Sequence, residues 1–165
     1  MNRSGTMMIA KKAVEDGMPA EKKRATGNML PPERPVPLQK QLTILLVDDH
    51  RNTLKIMGMV VSGLGYNVKT ASDGAEALGL FKEGGIDLVI TDYKMPGMNG
   101  LELLKELKRH DQRVQVVIAT AYGKLLDMEM LEKAGAMAVL NKPLDRKDIE
   151  KVIDAAGKTN KMVKT

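Results

Sequence analysis

Short apolar runs alternate with stretches of helical periodicity along the chain from residue 42 onward. The apolar runs predict β-strands at residues 42–47, 68–71, 86–91, 114–119 and 136–140. Between and after them, apolar residues recur at spacings of three and four, which predicts helices near residues 52–64, 74–81, 100–109, 123–134 and 146–156. Asp73, Asn99 and Asp145 directly precede three of these helices, where such side chains cap exposed backbone N–H groups. Repeated strand–helix units of this kind predict a parallel sheet covered by helices on both faces.

The two ends of the chain lack this alternation. Residues 1–41 hold eight Lys or Arg against four Asp or Glu, and Met29–Pro37 contains four prolines in nine positions. This composition predicts a disordered, basic extension that ends in an extended, Pro-rich linker. Residues 158–165 hold three Lys and no acidic residue, which predicts a short basic tail. A single folded domain is therefore expected over residues 42–157.

The formal net charge of +5 comes from these two ends, because residues 42–157 hold 15 basic and 17 acidic residues. The folded part is thus not basic, and direct binding of nucleic acid is not expected. Aromatic residues make up only 2% of the chain, so platforms for base stacking are scarce. The chain has no Cys, which excludes disulfides, and no apolar segment approaches the length of a membrane span. The sequence therefore predicts a soluble, cytoplasmic protein without membrane insertion.

Polar side chains lie just past the predicted strands. Asp48 and Asp49 follow the first strand, Asp92 the third, Thr120 the fourth and Lys142 the fifth. In a doubly wound sheet of the flavodoxin-like type, with strand order 2-1-3-4-5, ligands bind at the carboxyl ends of strands 1 and 3. The pair Asp48-Asp49 by itself fits two roles, capping of the next helix or binding of a hard divalent cation. The acidic cluster disfavours a flavin phosphate, and an anionic phosphoryl group would enter it only with a divalent cation.

Four short motifs, taken in order, resemble the receiver domain of bacterial response regulators, which has the CheY-like fold. They are Asp48-Asp49, Asp92 to Gly100, Thr120-Ala121 and Lys142-Pro143, and the resemblance covers about residues 42–157. It implies that Asp92 accepts a phosphoryl group from a phosphohistidine on a sensor histidine kinase or a histidine phosphotransfer protein. It also implies that Asp49 and Asp92 ligate Mg²⁺ together with the backbone carbonyl of Lys94, while Asp48 acts through a bound water.

The chemistry of the matching residues suits phosphoryl transfer, which mainly requires alignment and charge neutralisation. Lys142 carries a compact cation on a long stem, which can pair with Asp92 before modification and with a phosphoryl oxygen afterwards. Thr120 can donate its hydroxyl to the phosphoryl group. The peptide bond between Lys142 and Pro143 is expected to be cis, as is usual in this family. Asp92, Lys142 and Thr120 are thus the predicted catalytic residues.

Two positions that vary among receiver domains flank the predicted site. Lys94 lies two residues after the acceptor, and Tyr122 lies two residues after the threonine. A long cation and a large ring can both shield phosphorus from water, so we expect a slowly hydrolysed acyl phosphate. Val139 stands where the family often has Tyr or Phe. Rotation of a buried aromatic side chain is therefore not expected, and output is expected to depend on the loop after Thr120 and the helix that follows.

The helix predicted over residues 52–64 is more apolar than one buried face requires. With the other apolar side chains assigned to the core, Leu54, Ile56 and Met59 remain. They form a candidate docking patch for a kinase or phosphotransfer domain beside the predicted site. The alternative is that they pack against the last helix or beneath loops.

The sequence thus predicts a single-domain response regulator that acts as a phosphoacceptor rather than as an enzyme on other molecules. Its expected output is phosphorylation-controlled binding to a downstream protein, or onward transfer of the phosphoryl group. A haloacid-dehalogenase-type phosphatase is an alternative, but it needs a second Asp two residues after the first, where this chain has Lys94. Binding of DNA through the basic ends is a further alternative.

Overall fold

A computed structural model describes residues 42–123 and 127–162. Five strands and five helices alternate within this part of the chain. The strands are β1 (Thr43–Val47), β2 (Asn67–Ala71), β3 (Leu88–Asp92), β4 (Gln115–Thr120) and β5 (Ala138–Asn141). The helices are α1 (Arg51–Gly63), α2 (Gly74–Lys82), α3 (Gly100–His110), α4 (Met128–Lys133) and α5 (Arg146–Met162). The predicted extension over residues 1–41 lies outside the described residues.

The strands form one parallel sheet in the order β2-β1-β3-β4-β5, which confirms the predicted flavodoxin-like fold. Leu46 of β1 lies opposite Thr70 of β2 on one side and Ile90 of β3 on the other. Strand β2 is thus added on one side of β1, and β3, β4 and β5 are added on the other. The order of strand addition therefore reverses at β1, and β1 and β3 are neighbours. This reversal creates a crevice at their carboxyl ends, where doubly wound sheets bind ligands.

Successive side chains of the central strands enter two separate apolar clusters, one on each face of the sheet. On one face the cluster joins β1 with α1 and α5 through Ile44, Leu46, Met57, Val61, Ile149 and Ile153. On the other face it joins β1 with α2 and α3 through Leu45, Val47, Ala77, Leu103, Leu104 and Leu107. Both faces of β1 are thus covered, which explains why this strand is almost entirely apolar.

Polar caps determine where several helices begin. The side chains of Asp73 and Asn99 accept hydrogen bonds from the backbone N–H groups of Glu76 and Glu102, at 2.8 and 2.9 Å. Asp145 accepts a similar bond from the N–H of Asp148 at 2.8 Å. The three caps predicted from the sequence are therefore confirmed.

Two helix boundaries differ from the prediction by more than one residue. Helix α4 begins at Met128, where Asp127 is the N-cap and accepts a bond from the N–H of Met130 at 3.0 Å; Gly123 lies in a turn, and residues 124–126 of the predicted helix lie outside the described residues. Helix α5 continues to Met162 rather than ending near residue 156. The first residues of the predicted basic tail are therefore helical, since no proline or turn sequence interrupts them.

Of the three candidate docking residues, Leu54 does not belong to an exposed patch, and the alternative that it packs against the last helix is confirmed. Leu54 is only 8% exposed and packs in the same cluster as Ile149 and Val152 of α5. Leu54 shares a helical face with Met57, whereas Ile56 and Met59 lie on the other side and are 64% and 67% exposed. Among the residues described, no helix has both the length and the apolar character needed to cross a membrane.

Candidate functional site

The predicted site residues lie at the carboxyl end of the sheet. Asp48 follows β1 and is 2% exposed, while Asp92 is the last residue of β3 and is 8% exposed. Thr120 is the last residue of β4 and is 1% exposed. Strands β3 and β4 each end one residue later than the sequence predicts, so Asp92 and Thr120 belong to the rigid sheet rather than to the loops after it. Lys142 follows β5 directly.

The ammonium group of Lys142 bridges two buried carboxylates. Its Nζ atom lies 2.6 Å from Oδ2 of Asp48 and 3.0 Å from Oδ1 of Asp92. The backbone N–H of Lys142 donates to the carbonyl of Thr120 at 2.8 Å, which fixes the base of the side chain against β4. The Lys142–Pro143 peptide bond is cis, the isomer expected from the sequence. The long side chain of Lys142 therefore extends past β4 to the ends of β1 and β3.

The electrostatics of this bridge favour an additional cation. Burial raises the pKa of Asp92 above its ordinary value, and the nearby charge of Asp48 raises it further, although the ion pair with Lys142 acts in the opposite direction. Burial alone would lower the pKa of Lys142, but its hydrogen bonds to Asp48 and Asp92 raise it overall. Lys142 is therefore an ammonium ion at neutral pH, and one positive charge faces two carboxylates.

Asp49 lies beside this bridge, at its solvent-facing edge. Its side chain is 28% exposed, and its Oδ1 atom lies 2.9 Å from Nδ1 of His50. The same Nδ1 atom lies 3.4 Å from Oδ1 of Asp48, which also accepts the backbone N–H of His50 at 2.8 Å. One oxygen of each carboxylate and one nitrogen of the imidazole lie within 4.8 Å of one another. No functional role of His50 was predicted, although its place directly after two Asp residues was the available signal in the sequence.

Lys94 and Tyr122, the two residues predicted to slow hydrolysis of the acyl phosphate, lie together at the opening of the site. Lys94 Nζ lies 5.4 Å from the centre of the Tyr122 ring, a distance at which a cation is attracted to the face of a ring. Tyr122 is 45% exposed, and its backbone N–H donates to Oγ1 of Thr120 at 2.9 Å. The loop after β4 is thus tied to the threonine hydroxyl. Any change in the bonding of Thr120 would be transmitted to this loop.

The fold and this pocket together define a class of protein. A doubly wound sheet that collects three carboxylates, a buried hydroxyl and an ammonium group at its switch point is suited to accept phosphoryl groups. Residues 44–154 match the response regulator receiver domain family, and the chain belongs to this family. Receiver domains are the phosphoacceptor domains of two-component systems, bind Mg²⁺ at an acidic pocket and interact with histidine kinases, phosphotransfer proteins and downstream targets.

Similar proteins agree with this assignment. Sporulation initiation phosphotransferase F of Bacillus subtilis is 36% identical over 115 residues, which cover 70% of this chain and 90% of that protein. A receiver domain from Clostridium thermocellum shares 34% identity and a TM-score of 0.71, covering 74% of this chain and 98% of that one. The regulator TrrA from Thermotoga maritima, in complex with Mg²⁺ and BeF, shares 29% identity and a TM-score of 0.65, covering 70% and 99%. The chain spans only 26% of the length of the first curated relatives, which are transcriptional regulatory proteins of Escherichia coli.

Proposed function

We propose that Asp92 is the residue that accepts the phosphoryl group. The observation that carries this proposal is the bridge in which Lys142 holds Asp92 and Asp48 together, at 3.0 and 2.6 Å, at the carboxyl end of the sheet. Asp92 is buried at the end of a central strand, so its carboxylate is held in one position, and a single cation orients it. Fixed position and local positive charge are what a nucleophilic carboxylate needs for in-line attack on phosphorus.

In the transfer step, an oxygen of Asp92 attacks the phosphorus of a phosphohistidine. The new P–O bond forms as the P–N bond breaks, and the imidazole leaves with the electron pair of that bond and takes up a proton. Lys142 then exchanges its contact with Asp92 for one with a phosphoryl oxygen. The hydroxyl of Thr120, which is buried one strand away, donates to another phosphoryl oxygen. Movement of Thr120 toward the phosphoryl group would pull on its bond to Tyr122, and thus on the loop before α4.

The donor set fits Mg²⁺. Carboxylate oxygens are the ligands this ion prefers, and the pocket holds more carboxylates than cations among the described residues. Asp49 and Asp92 would bind the ion with the backbone carbonyl of Lys94, and Asp48 would act through a bound water. When bound, the ion neutralises charge on the transferred group. The structural feature that supports this assignment is the set of three neighbouring carboxylates, two of which share the single ammonium group of Lys142.

Lys94 and Tyr122 are proposed to protect the acyl phosphate from water. Their side chains lie together at the mouth of the pocket, with the ammonium group 5.4 Å from the ring centre. Both belong to exposed positions flanking the acceptor, so each can cover one side of a phosphoryl group without disturbing the core. This arrangement supports an acyl phosphate that hydrolyses slowly.

Helix α1 is proposed to dock the phosphoryl donor. Its exposed face presents Ile56 and Met59, and its first turn directly follows the acidic residues of the site. Leu54 is excluded from this surface because it is buried. Ile56→Ser and Met59→Ser are each expected to slow transfer from a kinase that phosphorylates the wild-type chain, without reducing phosphorylation by acetyl phosphate. Met128→Ser, at an exposed apolar position on α4, is the matched control.

Onward transfer of the phosphoryl group is the proposed output. The Bacillus subtilis relative that matches over 90% of its length is a phosphotransferase by name, and a slowly hydrolysed acyl phosphate suits an intermediate that must meet a second partner. Purified, phosphorylated chain mixed with a histidine phosphotransfer domain from the same host tests this proposal. The expected result is that the phosphoryl group is lost from this chain and that an equal amount is gained by the histidine phosphotransfer domain.

The central proposal is tested by intact-mass spectrometry after incubation with acetyl phosphate and Mg²⁺. We expect one added phosphoryl group on the wild-type chain, and none on Asp92→Asn or in the presence of EDTA. Modification of Asp92→Asn to the wild-type extent would contradict the assignment of the acceptor. Modification that persists undiminished in EDTA would contradict the role of the metal.

A further inference from the structure

Thr91, the residue before the proposed acceptor, has a buried hydroxyl. It is 0% exposed and occupies the fourth of the five positions of β3, where the three residues before it are apolar. Its Oγ1 atom donates a hydrogen bond to the backbone carbonyl of Asp92 at 3.0 Å. Burial of a hydroxyl costs free energy that an apolar side chain of similar shape, such as Val, avoids. The presence of a hydroxyl rather than a methyl group at this position therefore needs a reason.

The carbonyl that Thr91 holds lies where β3 ends and the loop to α3 begins. Tyr93, the next residue, donates its N–H to the carbonyl of Ala119 at 2.8 Å, and its own carbonyl accepts the N–H of Gly100 at 2.9 Å. Gly100 is the first residue of α3, and it packs so closely that a Cβ atom there would overlap the carbonyl of Asp92. The peptide group between Asp92 and Tyr93 is thus held by Thr91, by β4 and by α3.

The orientation of this peptide group affects two parts of the proposed site. The carboxylate of Asp92 precedes it along the chain, and the carbonyl of Lys94, a proposed ligand of Mg²⁺, follows it. A rotation of the peptide group would change the backbone angles of Asp92 and Tyr93, and would therefore displace the Lys94 carbonyl relative to the Asp92 carboxylate. Such displacements matter for the reaction, because a misplacement of about 1 Å can cost about 100-fold in rate.

Thr91 lies away from the reacting atoms. Side chains alternate in direction along a strand, so Thr91 faces the same side of the sheet as Val89, which packs in the cluster with α2 and α3. The carboxylate of Asp92 faces the other side, and the hydroxyl of Thr91 bonds to the main chain of Asp92. Any effect of Thr91 on phosphoryl transfer therefore passes through the backbone of the acceptor.

We propose that Thr91 is a positioning residue for phosphoryl transfer, whose hydroxyl fixes the carbonyl of Asp92 and thereby the geometry between the acceptor carboxylate and the Lys94 carbonyl. This inference rests on the proposed function, because it takes Asp92 as the acceptor. A role in packing alone gives a different order of variants. If only shape matters, Val replaces Thr91 well, and Ser, which lacks the methyl group, replaces it poorly. If the hydroxyl positions the backbone, Ser replaces it well and Val poorly.

The experiment compares the rates at which Thr91→Ser, Thr91→Val and Thr91→Ala are modified by acetyl phosphate in saturating Mg²⁺, followed by intact-mass spectrometry. We expect the second-order rate constant of Thr91→Val to fall at least about tenfold, and that of Thr91→Ser to stay within about threefold of the wild type. Thr91→Ala should react at least about tenfold more slowly than Thr91→Ser, and this pair isolates the hydroxyl even where Thr91→Val does not fold. Circular dichroism checks that each variant is folded under the conditions of the assay.

Val114→Ala is the control for a loss of stability without a change at the site. Val114 is buried and directly precedes β4, at the opposite end of the sheet from Asp92. Its truncation leaves a small cavity in the core, so the variant should be less stable than the wild type. Its rate constant with acetyl phosphate should nevertheless equal that of the wild type.

The possible results separate this inference from the proposed function. Modification of Thr91→Val at the wild-type rate, or equal rates for Thr91→Ser and Thr91→Ala, would overturn the inference and leave Asp92 as the acceptor. A loss of rate in Val114→Ala as large as that in Thr91→Val would also overturn it, because reduced stability would then explain both. Failure of the wild-type chain to be modified, or modification that Asp92→Asn retains, would contradict the proposed function itself.

Discussion

Replacement of Lys142 by methionine removes the cation that joins the two buried carboxylates but keeps the aliphatic stem. Asp48 and Asp92 are 2% and 8% exposed, and an oxygen of each lies within 3.0 Å of the same nitrogen. In the variant these oxygens face each other without a partner. Removing one member of a buried ion pair costs more than the pair contributes, because the remaining charge stays desolvated.

The expected loss of stability can be bounded in two ways. Two unit charges about 5 Å apart repel each other by about 3 kcal/mol at an effective dielectric constant of about 20. Asp92 can instead take up a proton, and at pH 7 this alternative costs no more than about 4 kcal/mol for a carboxyl with an ordinary pKa near 3.9. The Lys142 side chain is 22% exposed, so water screens part of the effect. We therefore expect Lys142→Met to lower the free energy of unfolding by about 3 kcal/mol without metal.

The assay is urea unfolding followed by circular dichroism at pH 7 in EDTA. Lys105→Met, at an exposed position on α3, is the control and should change stability by less than about 0.5 kcal/mol. Addition of Mg²⁺ should stabilise Lys142→Met more than the wild type, because the ion replaces the missing positive charge. The deficit should also shrink as the pH falls and Asp92 becomes protonated.

A Lys142→Met variant as stable as the wild type in EDTA would refute this reasoning. Such a result would mean that the two carboxylates do not repel each other in the folded chain. Equal stabilisation of both proteins by Mg²⁺ would refute the claim that the ion and Lys142 neutralise the same charge. A deficit that grows as the pH falls would contradict the predicted sign.

Three other changes test separate parts of the site. Asp92→Asn should stabilise the metal-free chain at pH 7, because the raised pKa of Asp92 makes its ionised form unfavourable in the folded state. This gain in the free energy of unfolding should appear as the pH rises above the unfolded pKa of about 3.9, and it should disappear below that pH. Lys94→Asn combined with Tyr122→Glu should increase the rate of phosphate release several-fold after loading with acetyl phosphate. Gly100→Ala should cost about 1–3 kcal/mol in urea unfolding, because Gly100 is buried and a Cβ atom there would overlap the backbone carbonyl of Asp92.

Each of these expectations has an opposing result. Equal stability of Asp92→Asn and the wild type across pH 4–8 would mean that burial does not perturb Asp92. Phosphate release at the wild-type rate from the double variant would reject shielding by Lys94 and Tyr122. Unchanged stability of Gly100→Ala would mean that the start of α3 moves away from Asp92 at little cost.

The order of elements and the chemistry of the strand ends could be predicted from the sequence because both depend on local patterns. Apolar runs bounded by caps such as Asp73 and Asn99 determine where helices and strands alternate, and the alternation confines the sheet to a parallel arrangement. The residues just past the strands then meet at one edge, since carboxyl ends of parallel strands lie together. The sequence by itself therefore predicts that Asp48, Asp92 and Lys142 meet.

Tertiary packing decided what the local patterns left open. Leu54 and Ile56 are equally apolar, but only Leu54 lies on the side of α1 that packs against α5. The sequence of a helix alone does not determine which neighbouring element packs against it. His50 became part of a three-atom donor cluster only because α1 begins where it turns the imidazole toward Asp49. Contacts between residues far apart in sequence, such as Lys142 with Asp48, depend on atomic distances that only the packed sheet and helices determine.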